Sequence, residues 1–125
     1  MSSYIQFRKK GVRICEFSRN SEMYKVFDEM VPYSEWHVVT ADKLRQGILA
    51  LQDEIGEKED TILIYKEMMK ANMSFSDAYE AAKTIVECQE DIEELDYYVN
   101  YIKVLMEIER CDNYDGQSPL EWTVG

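Results

Sequence analysis

Apolar and polar residues alternate along Tyr4-Ile-Gln-Phe-Arg8 and again along Val12-Arg-Ile-Cys-Glu-Phe17, with Lys9-Lys10-Gly11 between them. Period-two alternation of β-formers around a short loop whose glycine tolerates positive φ predicts a β-hairpin. On this reading Ile5 and Phe7 share a face with Val12 and Ile14, and Arg8 and Arg13 point mostly the other way. Beyond Asn20-Ser21, an N-cap signal, the period changes: Met23, Val26, Phe27 and Met30 follow helical spacing until Pro32 stops it. Trp36-His37-Val38-Val39 is a compact β-prone run, read as a third strand beside the hairpin.

Two long helical patterns follow. From Thr40, a good N-cap, Leu44, Ile48, Leu51, Ile55, Ile62, Tyr65 and Met69 keep three-and-four spacing, with Lys58 taking one seam position. One helix of about 30 residues, roughly 45 Å long, is the simplest reading, with Gly56 the favoured place for a kink. Asn72-Met73 interrupts it, and Ser74 with Asp77 marks the next helix start. Ala78, Ala81, Ile85, Cys88, Ile92, Leu95, Val99, Ile102 and Met106 then continue without a miss. The last helix carries a second apolar row, Tyr98, Tyr101, Leu105 and Ile108, which one antiparallel partner helix cannot also cover. That row is expected to form a subunit interface. In the tail, Cys111 to Pro119 is turn-rich, whereas Leu120, Trp122 and Val124 alternate as a short edge strand would.

The fold class is therefore α+β, mainly α. It comprises a small N-terminal antiparallel sheet with a short helix (1–40), a long coiled-coil-like helical hairpin that oligomerises (41–111), and a C-terminal tail (112–125). A length of 125 residues fits one domain. No apolar stretch is long enough to span a bilayer, and no opening run reads as a secretory signal. Three widely separated cysteines fit reduced thiols and a cytoplasmic location.

Charge sharpens the picture. The net charge is −11, yet residues 1–25 hold six basic and two acidic side chains, a local +4 that leaves −15 on the remainder. An acidic body repels duplex nucleic acid and anionic membrane. The basic tip, Arg8, Lys9, Lys10 and Arg13 beside Tyr4 and Phe7, is the candidate site for a small anionic, nucleotide-like ligand. Its competing role is edge protection, or an electrostatic contact with acidic helices of another subunit.

Acidic residues also cluster. Glu87, Glu90, Asp91 and Glu94 share a helical face, and a hairpin folded about Met73 brings them level with Asp53, Glu54 and Glu57. Asp53-Glu-Ile-Gly-Glu57 and Glu93-Glu-Leu-Asp96 resemble the ExxE and ExxD elements of the MazG-like all-α nucleoside-triphosphate pyrophosphohydrolases. The resemblance implies a Mg²⁺ site at Glu54, Glu57, Glu90 and Glu93 acting on a triphosphate. A solvated acidic face is the alternative. With His37 the sole histidine and no CxxC, soft-metal sites lack their usual ligands. Cys15 and His37 would form a nucleophile-and-base pair only if the third strand joined the hairpin.

The expected function is non-catalytic: an oligomeric binding or regulatory protein needing no cofactor. It would act through protein–protein contacts or an anionic ligand at the basic hairpin. Two other readings stay open. One is an acidic phage-type inhibitor of a nucleic-acid enzyme, of the anti-restriction or anti-CRISPR kind; the other is the Mg²⁺-dependent pyrophosphohydrolase.

Overall fold

A computed structural model describes residues 3–31, 33–112 and 119–125. Pro32 and the turn-rich segment 113–118 lie outside the described residues, and of the side chain of Cys111 nothing is described. The fold is mixed α+β, with a small antiparallel sheet and a long helical region.

The first hairpin pairs β1 (Tyr4–Lys9) with β2 (Val12–Ser18). Lys10 and Gly11 both take positive φ, 53° and 75°, as a two-residue type I′ turn requires. The expected facing of β2 is corrected. A register shift between Phe7 and Arg8 sets Ile5 opposite Phe17 and Phe7 opposite Cys15. Cys15 and Phe17 therefore join the inner face, while Val12 and Ile14 are exposed. A bulge changes which side chains share a face, and strand alternation alone does not reveal one.

Ser21 caps α1 (Glu22–Phe27) by accepting a hydrogen bond from the Tyr24 N–H. The helix is shorter than its apolar spacing suggested, although Met30 still packs against the core. The third strand, β3 (His37–Val38), has only two residues. It does not lie beside the hairpin. The tail strand β4 (Leu120–Val124) pairs antiparallel with both β1 and β3, giving the order β2-β1-β4-β3. The segment expected at an edge is thus central, and Leu120, Trp122 and Val124 are fully buried. Trp122 packs between Phe7 and Phe27, with ring centroids 5.9 and 5.2 Å away. Its indole N–H is buried with no acceptor among the described residues.

Thr40 caps α2 (Ala41–Met69), which runs unbroken through Gly47 and Gly56. Packing of Ile55 and Ile62 outweighs the cost of about 1 kcal/mol that a glycine imposes on a helix. Gly47 has a packing reason. An ideal Cβ there would meet the ring of Phe27, with Cε1 at 2.5 Å. The missing side chain lets α1 sit directly on α2.

Ser74 accepts the Asp77 N–H at the start of α3 (Phe75–Asp112). At 29 and 38 residues, the two helices are about 43 and 57 Å long. Only part of that length is covered by the sheet. Leu44, Ile48, Leu51 and Ile55 with Leu95, Val99, Ile102 and Leu105 belong to the core shared with the sheet and α1. Farther out, Ile62, Ile85 and Cys88 form a separate cluster between the two helices alone.

Candidate functional site

The row Tyr98, Tyr101, Leu105 and Ile108 packs on the core within the chain, with Leu105 buried and the other three half-buried. Phe17 of β2 meets Tyr98 and Tyr101 edge-on, with centroids 6.0 and 5.0 Å away, and Leu105 is buried. Periodicity shows that a face must be covered. It does not say by what. The sheet formed from both ends of the sequence supplies the cover.

The basic tip is largely occupied. Arg8 pairs with Glu121 at 3.0 Å and stacks over Trp36 at 4.2 Å. Lys9 donates from Nζ to the Ile108 carbonyl at 2.7 Å, in the last turn of α3, where the helix dipole favours a cation. Arg13 pairs with Glu16 at 3.2 Å, and Lys10 is exposed at the turn. Two of the four cations thus tie β1 to β4 and to α3. An anion docking here would compete with those bonds.

The hairpin brings the two acidic segments level, though with a lysine at their centre. Lys58, the charged seam residue, pairs with Asp91 at 3.2 Å. Glu22, Glu54, Lys58, Asp91 and Glu94 line a hollow of about 90 Å³. Burial, followed by the charge of Glu22, holds the Glu54 carboxyl above its ordinary value. Of the residues expected to bind Mg²⁺, Glu54 is half-buried, whereas Glu57, Glu90 and Glu93 are exposed. Among the described residues, no three His, Cys, Asp or Glu side chains are grouped to hold a metal ion.

Cys15 and His37 stand on strands at opposite edges of the sheet. Burial pushes the Cys15 thiol up, and burial with a hydrogen bond to Cys15 pushes Tyr101 up to about 12. Both groups are neutral near pH 7, which suits packing and not nucleophilic attack.

What the sequence did not single out is the outer half of the hairpin. Leu63, Ile64, Phe75 and Tyr79 are 62, 59, 84 and 57 % exposed, and Met68 and Val86 are about half exposed. Among the described residues the rings of Phe75 and Tyr79 meet only one another, tilted and with centroids 6.4 Å apart. Beside them, Tyr65, Met68, Met73 and Ala81 line an open groove of about 450 Å³ rimmed by Asp77 and Glu80. The sequence signal was available. Phe75, Tyr79, Ala82 and Val86 follow three-and-four spacing one step off the seam, and the seam hides them.

Comparison with family models, with curated proteins and with solved structures gives no match for this chain.

Proposed function

We propose that this protein is a non-catalytic interaction module that engages protein partners through the outer half of its helical hairpin. The sheet and α1 serve as the base that holds the hairpin. One observation carries the reading: beyond the sheet the helices cover only each other, yet they present large exposed apolar side chains there. Large contiguous apolar patches mark interaction surfaces on soluble proteins, and Met and aromatic residues are favoured in such contacts. A small anionic ligand at the basic hairpin has weaker support, because Arg8 and Lys9 already bind Glu121 and the Ile108 carbonyl.

Site-resolved photo-crosslinking tests this. A photoreactive phenylalanine at position 75 should yield discrete protein adducts in host lysate, whereas one at exposed Arg13 should yield few. Adducts from position 13 and none from 75 would move the function to the hairpin tip.

A further inference from the structure

The side of the helical hairpin that carries the sheet and α1 is one groove, filled at its inner end and open at its outer end. At the inner end Phe27 of α1 lies over Gly47, Glu22 reaches the hollow lined by Glu54, Lys58, Asp91 and Glu94, and Phe17 covers Tyr98 and Tyr101. At the outer end Tyr65 and Met68 of α2 and Asp77, Glu80, Ala81 and Thr84 of α3 line the open groove. The two ends belong to one flank. Asp77, Glu80 and Ala81 stand fourteen residues before Asp91, Glu94 and Leu95, and Met68 stands fourteen after Glu54. Fourteen residues are two heptads, a shift that in a heptad-packed hairpin returns to the same side about 21 Å farther along. The Lys58–Asp91 pair fixes the antiparallel register, and by it Tyr65 is level with Thr84 and Met68 with Ala81.

The chemistry changes along this flank. The α3 row that is Tyr98, Tyr101, Leu105 and Ile108 under the sheet continues outward, at the same spacing, as Glu94, Asp91, Glu87, Thr84, Glu80 and Asp77. Asp91 is paired with Lys58, whereas Asp77, Glu80 and Glu87 are exposed and form no ion pair among the described residues. The α2 wall opposite is lined by half-buried Tyr65 and exposed Met68. Beyond Lys58 the wall positions, 61, 65 and 68 on α2 and 77, 80, 84 and 87 on α3, include no Lys or Arg. An occupant therefore has to offer an apolar side to α2 and positive charge to α3. Both walls are helices whose backbone groups bond internally, so no strand edge is on offer. The occupant that satisfies its own backbone here is a helix, as α1 does at the inner end. Nucleic acid and anionic membrane are repelled by the acidic wall.

We propose that the outer groove receives a short amphipathic helix of a partner protein, its apolar side on Tyr65 and Met68 and a row of Lys or Arg along Asp77, Glu80 and Glu87. The proposal rests on the reading of the hairpin as an interaction surface and names the partner's chemistry. Fluorescence anisotropy with the full chain tests it, using a labelled helical peptide that carries Leu at i, i+3, i+4 and i+7 and Lys along one flank. Binding is expected at micromolar concentration, and a peptide with Glu in place of Lys should not bind. Glu80→Lys with Glu87→Lys should weaken binding about tenfold, while Glu90→Lys with Glu93→Lys, the same change of net charge on another side of α3, should alter it less than about twofold. Met68→Gln should weaken it about fivefold, through loss of an apolar anchor. All five side chains are exposed, so the variants keep the fold, which circular dichroism checks. Equal weakening by the two charge pairs would show general attraction to an acidic protein, and a native dimer that the peptide dissociates would give the groove to a second copy of this chain. Either result, or no binding, overturns the partner helix. Protein adducts from position 75, which lies off this flank, would then leave the interaction module standing on another surface.

Discussion

Alanine at Gly47 and alanine at Gly56 make one experiment, because the two glycines lie in the same helix and differ only in what they face. At Gly56 nothing stands within 4 Å of an added Cβ, so Gly56→Ala should return the full helix-propensity gain of about 1 kcal/mol. At Gly47 the same gain is opposed. The added carbon would sit 2.5 Å from Phe27 Cε1 and closer still to Cζ, where carbon atoms settle at about 3.5–4.0 Å. The ring would have to retreat by more than an ångström. Phe27 is fully buried, and Trp122 lies 5.2 Å behind it, so there is no free space to accept the movement. Overpacking of this kind costs about 1–3 kcal/mol. Gly47→Ala is therefore expected to be destabilised by up to about 2 kcal/mol, and to fall about 2 kcal/mol below Gly56→Ala. For a chain of this length that difference corresponds to roughly 8 °C in melting temperature. Thermal unfolding followed by far-ultraviolet circular dichroism measures it, and the near-ultraviolet signal of Trp122 reports the displaced ring. Pairing Gly47→Ala with Phe27→Leu should recover part of the loss relative to Phe27→Leu alone. Equal stability of the two alanine variants would show that Phe27 yields freely, and would refute the account of how α1 seats on α2.

Replacing Arg8 by Ala should cost about 1 kcal/mol, measured by urea denaturation, because the Glu121 pair and the stack on Trp36 are both lost. Lysine at that position should recover only part, since it lacks the planar guanidinium. The raised Glu54 carboxyl predicts a pH effect. A carboxyl that protonates more readily in the folded state gives stability that grows as pH falls from its folded value toward the ordinary value of 4.5, and is lost as pH rises through that window. The groups facing it are Glu22, Lys58, Lys25 and Glu57; Glu54→Gln should flatten the profile, and an unchanged profile would assign the effect to another group. Millimolar Mg²⁺ should raise the melting temperature no more than NaCl of equal ionic strength, because screening is all that a dispersed acidic face offers. A rise specific to Mg²⁺, lost in Glu54→Gln, would restore the pyrophosphohydrolase reading.

Local signals in the sequence located the elements well. Ser21, Thr40 and Ser74 each cap the helix their position announces, and the seam from Ala81 to Ile102 is buried as its spacing requires, apart from half-buried Ile92. Partnership between distant segments was not legible. Leu120, Trp122 and Val124 show a strand with an apolar face, but no local pattern tells a central strand from an edge one. Arg8 looked available for a ligand because its partner, Glu121, is 113 residues away in sequence. Val12 and Ile14 were assigned to the inner face because alternation counts residues and a bulge changes the count. The exposed row on α3 was overlooked for a different reason. A helix that is apolar on several sides gives a strong signal for burial and a weak one for which side remains bare.

The placement of β4 sets an order of events during synthesis. β1 and β3 do not pair with each other; residues 120–124 lie between them and join β3 to the β1–β2 hairpin. Until those residues have emerged, β1 lacks its second neighbour, β3 has no strand to pair with, and the space Trp122 fills between Phe7 and Phe27 is empty. The helical hairpin can form as it emerges, because its register is local. Its seat cannot. The nascent chain therefore closes late, once residues 120–124 have emerged, with the inner faces of α2 and α3 open to chaperones or to premature association until then. A chain cut just before residue 119 should behave as two unjoined pieces, and a peptide carrying 119–125 supplied separately is the piece that would join them.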